Sequence, residues 1–294
     1  MKLFLFLLLR IVAVGYELGI ASQFRDEAPY LKEWIEYHKM VGVDHFWLYN
    51  NSSVDNWQEV LQPYIDEGLV EVFYWPSNPM NFQEFHTRAN QDALRKAKGK
   101  AKWVALIDID EFLFPTKEAT VVECLEKHFQ QASAIYASWR MFGTGKVCLS
   151  PGEFFLTKLV ACAFRNHPCN SIGKSLVRPD RVDIDNIWYE HYMPLYPGGS
   201  GYFDGNGEDM GYDGVSLLSV DRHCDKYLRL NHYNLRDENF FKNSRIRKAE
   251  AGIYGNLKLL WEHYESFSLI RDLAMVNFLK NKHPDMYEKF WKNP

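Results

Sequence analysis

Residues 103–112 read WVALIDIDEF, an apolar run that leads into three acidic residues. Its opening apolar residues are typical of a strand that is buried on both faces of a parallel sheet. Asp108 and Asp110 follow as an Asp-x-Asp pair, which places two carboxylates where the strand ends. Hard oxygen ligands at that spacing suit Mn²⁺ or Mg²⁺. An acidic turn after a strand is the alternative explanation of the same residues.

Strand–helix units repeat before this stretch. The predicted strands cover residues 18–24, 45–49 and 69–75. The predicted helices cover residues 29–41, 57–66 and 82–97. Such a repeat implies right-handed crossovers and a parallel sheet, whose ligands lie beyond the carboxyl ends of the strands. Those ends carry Arg25, Glu27 and Asn50 as well as the two aspartates, so polar side chains are expected to meet at one rim of the sheet.

The second half of the chain has a less regular pattern. Further strands are predicted over residues 134–139, 174–178, 188–192 and 228–233. Terminal helices are predicted over residues 237–251 and 266–280. Residues 198–214 hold seven glycines and four acids, so they are expected to form a mobile loop. No repeat or linker divides the chain, and we expect one domain over residues 16–294.

Composition excludes several classes of protein. The chain has 294 residues and a formal net charge of −4, which argues against non-specific nucleic-acid binding. It has neither G-x-G-x-x-G nor G-x-x-x-x-G-K-[ST] after its first strand, so Rossmann dehydrogenases and P-loop enzymes are disfavoured. It has no G-x-S-x-G, which disfavours an α/β-hydrolase. None of its five cysteines forms a C-x-x-C pair, so a structural zinc site is not expected.

The N-terminus is strongly apolar. Residues 3–9 are all Leu or Phe, and Arg10 separates them from a second short apolar run that ends at Gly15. This length is too short to span a bilayer but resembles a secretory leader. The first element of the domain is the alternative. We therefore expect residues 1–15 to be a leader or possible membrane attachment, and prefer a secretory, envelope or membrane-associated location over a cytoplasmic one.

Several segments, in order along the chain, together resemble glycosyltransferase family 92 over residues 17–250. They are RDEAPYLKEWIEYH (25–38), GVDHF (42–46), YNNS (49–52), DIDEFLFP (108–115), WRMFGT (139–144), KSLVRP (174–179) followed by His191, and NHY (231–233) before a helix with Phe240, Phe241 and Lys242. Two positions depart from the family pattern. Asp26 replaces the usual Asn, and Arg236 stands where Lys-Ser is frequent.

The resemblance implies a GT-A type fold, with a Rossmann-like, mostly parallel sheet flanked by helices and a mixed second half. It also implies a nucleotide-sugar donor, often UDP-galactose, a glycan or other hydroxyl acceptor, a divalent metal, and inversion at the anomeric carbon. The implied donor-binding residues are Arg25, Glu27, Asn50, Asp108, Lys174 and Arg178. Trp139 and Phe142 would bind the acceptor sugar. The metal ligands would be Asp108, Asp110 and a late His, for which His232 is preferred to His191.

An inverting transfer needs one general base near the acceptor hydroxyl. Glu208 and Asp209 lie in the glycine-rich loop, which we expect to act as a lid beside Asp108 and Asp110. Glu111 and Glu238 are the competing candidates.

Two other functions fit part of the pattern. A nucleotidyltransferase would also use a parallel sheet and paired Asp residues, but usually with a Gly-rich loop in its first turn. A non-catalytic carbohydrate-binding module could use the many Trp and Tyr side chains, since aromatic residues make up 16% of the chain. Such a module needs no Asp-x-Asp at the end of a strand.

Overall fold

The computed structural model describes residues 15–77, 80–198, 201–211, 224–250 and 256–292. The apolar residues 1–14 lie outside these ranges, and the predicted leader therefore stays a prediction. Among the helices of the described ranges, none combines the length and the apolar character that crossing a membrane requires.

Four parallel strands and the three helices between them form the first half of the fold. The strands are β1 (Tyr16–Phe24), β2 (His45–Asn50), β3 (Val70–Tyr74) and β4 (Ala101–Leu106), in the sheet order β3–β2–β1–β4. The helices are α1 (Ala28–Met40), α2 (Trp57–Asp66) and α3 (Phe82–Ala97). The predicted strand–helix units and the parallel sheet are confirmed, with element ends that differ by a few residues.

Helices cover both faces of this sheet. Leu31, Trp34 and Leu61, from α1 and α2, pack with one set of strand side chains, while Ala89 and Ala93 of α3 pack with the opposite set. Strand residues alternate between the two faces, so strands apolar at almost every position supply both cores. The rim at the carboxyl ends of the strands stays outside these cores.

The sheet continues beyond β4 with strands of mixed direction. They are β8 (Gly173–Val177), β6 (Ala134–Met141), β9 (Tyr202–Asp204) and β10 (Asp209–Gly211), in that order outward from β4. β8 runs antiparallel to both of its neighbours, and β10 is the edge strand. The expected α/β fold, mostly parallel with a mixed second half, is therefore confirmed.

A second ribbon joins the sheet at the end of β6. β5 (Glu111–Pro115) pairs antiparallel with β11 (Leu228–His232), and β11 pairs parallel with the last residues of β6. The sequence analysis did not predict β5. Its register sets His232 opposite Glu111. The indole nitrogen of Trp34 donates to the carbonyl of Glu111 at 2.9 Å, so α1 fixes the start of the ribbon.

Two predictions in the second half are wrong. Residues 202–204 and 209–211 form the β9–β10 hairpin, where a mobile loop was expected, and Tyr202 is 1% exposed. Residues 199–200 and 212–214 of the expected loop lie outside the described ranges. Residues 188–192 form no strand and contain only an isolated bridge between Tyr189 and Tyr192. That segment follows short helical turns, and Tyr189 and Tyr192 pack against the sheet face without strand pairing, while Trp188 is exposed.

Short helices complete the C-terminal half. They are α4 (Val121–His128), α5 (Glu238–Phe240), a π-helical turn (Phe241–Ile246), α6 (Arg247–Glu250), α7 (Leu257–Ser266), α8 (Ala274–Lys282) and α9 (Pro284–Phe290). Single 3₁₀ turns occupy Pro168–Ser171, Pro179–Arg181 and Ile184–Asn186, and β7 (Ala161–Cys162) pairs with β12 (Ile270–Arg271). The predicted helix over 237–251 is confirmed for its described residues. The predicted helix over 266–280 is wrong for residues 267–273, because α7 ends at Ser266, β12 follows, and α8 begins only at Ala274.

A buried carboxylate holds the C-terminus to α1. Glu33 is 1% exposed, and its oxygens accept hydrogen bonds from the backbone N–H groups of Phe155 and Leu156 and from the indole of Trp291, at 2.8–3.0 Å. Burial raises the pKa of Glu33 to about 7, although these hydrogen bonds oppose the rise.

This raised pKa predicts a pH-dependent effect of Glu33→Gln. An acid with a higher pKa when folded binds more protons folded than unfolded between pH 4.5 and 7, so its contribution to the free energy of unfolding falls as pH rises across that window. Relative to the wild type, the variant should gain about 2–3 kcal/mol between pH 5 and pH 8. Urea unfolding of both proteins at the two pH values measures this gain. An equal stability difference at both pH values would contradict the prediction.

Candidate active site

A short turn after β4 presents the two aspartates. The backbone N–H of Asp108 donates to Glu111 Oε2 at 2.8 Å, and the N–H of Glu111 donates to the carbonyl of Asp108 at 3.1 Å. These reciprocal bonds close the turn between β4 and β5. Asp108 and Asp110 therefore lie where the sheet and the second ribbon meet.

Lys174 of β8 neutralises the first aspartate. Its Nζ lies 3.0 Å from Asp108 Oδ2, and its side chain is only 5% exposed. Because β8 is antiparallel to β4, the N-terminal residues of β8 reach the rim at which β4 ends. Burial would raise the pKa of Asp108, but Lys174 lowers it below the ordinary value. Burial would likewise lower the pKa of Lys174, and Asp108, Glu111 and Glu190 raise it overall.

His232 and Arg245 face the second aspartate. His232 Nε2 lies 3.5 Å from Asp110 Oδ1, and Arg245 Nη2 lies 3.6 Å from Oδ2. The N–H of Tyr233 donates to the carbonyl of Asp110 at 2.8 Å, which fixes the backbone of β11 beside the turn. Burial would raise the pKa of Asp110, but His232, Arg236 and Arg245 lower it overall.

The imidazole of His232 is held in an acidic environment. Burial would lower its pKa, but Asp110, Glu111 and Asp108 raise it above the ordinary value. Glu111 is completely buried, and burial raises its pKa to about 8. Its Oε1 has no hydrogen-bond partner in the described part of the chain. The site therefore combines two ionised aspartates with a third acid that resists ionisation.

Loops after β1 and β2 form the neighbouring part of the rim. The backbone N–H of Asp26 donates to Ser53 Oγ at 3.0 Å, and Asp26 Oδ1 accepts from the N–H of Val54 at 2.8 Å. Asp26 has a φ of +56°, a conformation that Asp and Asn adopt more readily than most residues, so Asp can stand for the usual Asn here. Asn50 is 5% exposed, and its Oδ1 accepts from the N–H of Ser53.

Glu27 and Arg236 connect this loop to the site. Arg236 Nη2 lies 2.9 Å from Glu27 Oε2, and its guanidinium lies 3.9 Å from the ring centroid of Tyr30. Burial raises the pKa of Glu27 to about 7, although Arg236 opposes the rise. Arg25 is different, because its side chain is 62% exposed and its ion pair with Asp26 is long, at 3.9 Å.

Four predicted site residues are not brought to these carboxylates. Arg178 follows the last residue of β8, and its guanidinium stacks on Trp103 at 4.3 Å, at the opposite end of the sheet. Phe142 is 2% exposed and stacks on Tyr233 in the core, so it cannot form an acceptor surface. Glu208 and Asp209 belong to the β9–β10 hairpin. Since β10 lies four strands from β4, it is roughly 19 Å away.

Trp139 does reach the site. Its ring centroid lies 4.4 Å from that of His232 and 5.4 Å from that of His191. His191 stands beside the site as well, with Nδ1 2.7 Å from the carbonyl oxygen of Gly173. Sequence reasoning missed Arg245, which a π-helical turn carries to Asp110. No motif marked that residue, although insertions of this kind are frequent at functional sites.

The donor set suits a divalent cation, although the side chains are now paired with each other. In the described ranges, no cluster of three or more His, Cys, Asp or Glu side chains has the geometry of a formed metal site. Asp110 and His232 offer carboxylate oxygen and imidazole nitrogen, which Mn²⁺ accepts. Asp108 offers a further carboxylate oxygen, which is now paired with Lys174.

Open α/β sheets bind their ligands beyond the carboxyl ends of the strands, and in this mostly parallel sheet the paired aspartates lie there. Residues 16–204 match the family described as glycosyltransferase family 92, and the chain belongs to that family.

The relatives share this family name. Glycosyltransferase family 92 protein At1g27200 of Arabidopsis thaliana is 26% identical over 196 residues, which are 63% of this chain and 32% of that protein. Family 92 protein RCOM_0530710 of Ricinus communis is 30% identical over 242 residues, which are 80% and 38% of the two chains. The chain thus spans about a third of the length of these curated relatives.

Similar solved structures are more distant. TarS of S. aureus in complex with UDP-GlcNAc has a TM-score of 0.42 and 12% identity, over 94% of this chain and 76% of that one. The mannosyltransferase PcManGT from Pyrobaculum calidifontis in complex with GDP-Man and Mn²⁺ has a TM-score of 0.36 and 11% identity, over 68% and 59% of the two chains.

Proposed function

We propose that this chain is a metal-dependent glycosyltransferase that moves a sugar from a nucleotide-sugar donor to a hydroxyl of a glycan. UDP is the favoured nucleotide and galactose the favoured sugar, as the family resemblance implies. The observation that carries the proposal is the Asp110–His232 pair beside Asp108, at the point where β4 and the second ribbon meet. Membership of glycosyltransferase family 92 supports it.

The proposed metal ligands are Asp110 and His232, with Asp108 as the further oxygen donor. Two carboxylates and a neutral imidazole suit Mn²⁺ or Mg²⁺, and the bound cation would stabilise the charge that develops on the departing diphosphate. A cation there would take over the role of the positive groups that now face the aspartates, namely Lys174 and Arg245. Lys174 would then be free to contact the diphosphate.

The proposed nucleotide contacts lie at the ends of β1 and β2. Glu27 and Asn50 are fixed there by Arg236 and by the backbone of Ser53, so their positions are set before a donor arrives. Arg25 is exposed and can turn toward a phosphate or a ribose. Trp139 offers a ring against which an acceptor sugar can pack beside His232.

We further propose that the reaction inverts the anomeric configuration. In a single displacement the acceptor oxygen attacks the anomeric carbon from the side opposite the diphosphate, and the bond to the diphosphate breaks with its electron pair leaving on the phosphate. One general base then has to accept the proton of the acceptor hydroxyl. An ¹H NMR spectrum of the first product formed from an α-linked donor tests this, since a β-linked product is expected.

A donor screen tests the function directly. Purified protein would be incubated with UDP-galactose, UDP-glucose, UDP-GlcNAc or GDP-mannose in the presence of Mn²⁺, and the released UDP or GDP would be measured. We expect release from one donor, with loss of activity in excess EDTA and recovery when Mn²⁺ is restored. Release of pyrophosphate from a nucleoside triphosphate and a sugar phosphate would instead indicate a nucleotidyltransferase. Sugar binding without any turnover would indicate a carbohydrate-binding protein.

A further inference from the structure

Glu190 is a buried acid beside the site for which no role has yet been given. The residue is 8% exposed, and its Oε1 lies 3.7 Å from His191 Nε2, beyond hydrogen-bond distance. Its Oε2 is buried and has no hydrogen-bond partner within the described ranges. An unpaired buried polar atom destabilises the fold, so the position of Glu190 needs an explanation other than stability.

The backbone around Glu190 is fastened to the strand that carries Lys174. Ser175 Oγ donates to the carbonyl of His191 at 2.7 Å, and His191 Nδ1 lies 2.7 Å from the carbonyl oxygen of Gly173. The two contacts flank Lys174, whose Nζ meets Asp108. Glu190 therefore lies on the active-site side of β8. Burial would lower the pKa of Lys174, and the Glu190 carboxylate, together with those of Asp108 and Glu111, raises it.

Aromatic rings lead from the surface to this point. Trp188 is 55% exposed and stacks on Tyr189, with ring centroids 5.6 Å apart. Tyr189 stacks on His191 at 5.2 Å, and His191 contacts Trp139, which contacts His232. Trp188, two residues before Glu190, is therefore the exposed ring on which an acceptor sugar can pack near this carboxylate.

The other acids near the rim are held in the fold or are distant. Glu111 also has an Oε1 without a hydrogen-bond partner among the described residues, but it is 0% exposed and its Oε2 closes the turn with the N–H of Asp108, so the backbone holds its carboxylate inside the turn. Glu238 accepts hydrogen bonds from Thr144 and Tyr264 and pairs with Lys242. The acids of the β9–β10 hairpin lie at the far edge of the sheet.

We propose that Glu190 is the general base of the transfer. This inference rests on the proposed function. The acceptor O–H gives its proton to the Glu190 carboxylate while the acceptor oxygen forms its bond to the anomeric carbon, and the bond from that carbon to the diphosphate breaks. Glu190 ends the step as a neutral carboxylic acid and returns the proton to water after the product leaves.

His191 is suited to accompany this proton transfer. Burial lowers its pKa to about 3, and Lys174 adds to the effect, so its ring is neutral at physiological pH. Because Nδ1 faces the carbonyl of Gly173 and donates to it, Nε2 carries the lone pair. The ring therefore places no positive charge beside Glu190, and a protonated Glu190 can donate to Nε2 after a small rotation.

The test compares Glu190→Gln with Glu118→Gln. Glu118 is a matched control, because it is 9% exposed, pairs through Oε1 with His128 at 2.8 Å and also has a buried Oε2 without a described partner. It follows the far end of β5, away from Asp108. Transfer would be measured with the donor found in the screen and a panel of p-nitrophenyl glycosides as acceptors, and donor affinity by isothermal titration calorimetry.

Glu190→Gln should lower kcat for transfer by about 10²–10⁴-fold while the Kd for the donor stays within about twofold. Glu118→Gln should keep the wild-type kcat. Glu190→Asp, which retains the acid, should have an intermediate rate and decides the question if the Gln variant does not fold. Wild-type rates in all three variants would overturn the base assignment alone. A wild-type protein that transfers sugar from no donor would instead overturn the proposed function, and the base assignment with it.

Discussion

Asp110→Asn should lower the rate of sugar transfer by about 10²–10³-fold at saturating Mn²⁺, because it removes the charged ligand on which the proposed metal site depends. Asn retains the shape of Asp and can still accept from His232 or Arg245, but it carries no negative charge to hold a divalent cation. The backbone contact is unaffected, since Tyr233 donates to the carbonyl of residue 110 and not to its side chain. The variant should therefore fold.

The melting temperature with and without Mn²⁺, together with the transfer rate, distinguishes loss of metal binding from loss of folding. Mn²⁺ should raise the melting temperature of the wild type, since a ligand that binds only the folded state stabilises it, and should leave that of Asp110→Asn unchanged. Asp185→Asn is the control, because it breaks an Arg–Asp pair with Arg95 in which Asp185 is 84% exposed. The control should match the wild type in both rate and response to Mn²⁺. Full activity of Asp110→Asn in excess EDTA would rule out the metal-dependent proposal.

The parallel half of the fold could be predicted because its determinants are local. Apolar runs, helix-breaking glycines and the order of strand and helix specify β1 to β4 within short stretches of chain. The same locality placed Asp108 and Asp110 at a strand end. The approach of His232 to Asp110 also follows from the chain, because a short strand precedes that histidine and leads it to the rim.

The remaining placements depend on pairing between distant segments. The direction of β8 decides whether Lys174 or Arg178 reaches Asp108. The local sequence of a strand does not determine whether it runs parallel or antiparallel to its neighbour. The position of β10 at the sheet edge separates Asp209 from the site, yet that position results from the pairing of β6 with β9. Local composition indicates how a segment folds but not which neighbour it pairs with.

Lys174 is expected to have the largest effect on stability among these residues. It is 4% exposed and is the positive partner of Asp108 at 3.0 Å, with Glu111 and Glu190 also within its field. Lys174→Ala leaves Glu111 and Glu190 buried without that charge, whereas the Asp108 side chain is 35% exposed and keeps contact with water. Removing one partner of a fully buried ion pair costs about 3–5 kcal/mol, and the partial exposure of Asp108 reduces the expected loss to about 2–3 kcal/mol. For a chain of this size that corresponds to a fall of roughly 5 °C in melting temperature.

The pH dependence identifies the cause of that loss. Without Lys174, the pKa of Asp108 should rise above its value in the unfolded chain, and an acid with a raised pKa destabilises the fold more as pH increases. The loss in free energy of unfolding caused by Lys174→Ala should therefore be smaller at pH 5 than at pH 8. Lys226→Ala, which removes an exposed lysine, should cause no such loss at either pH. Adding Asp108→Asn should restore part of the lost stability, because it removes a negative charge that has lost its positive partner, and the two changes are coupled. If Lys174→Ala unfolds within about 1 kcal/mol of the wild type at both pH values, water or a side-chain rearrangement already compensates Asp108, and the lysine is held at the rim for its contact with substrate alone.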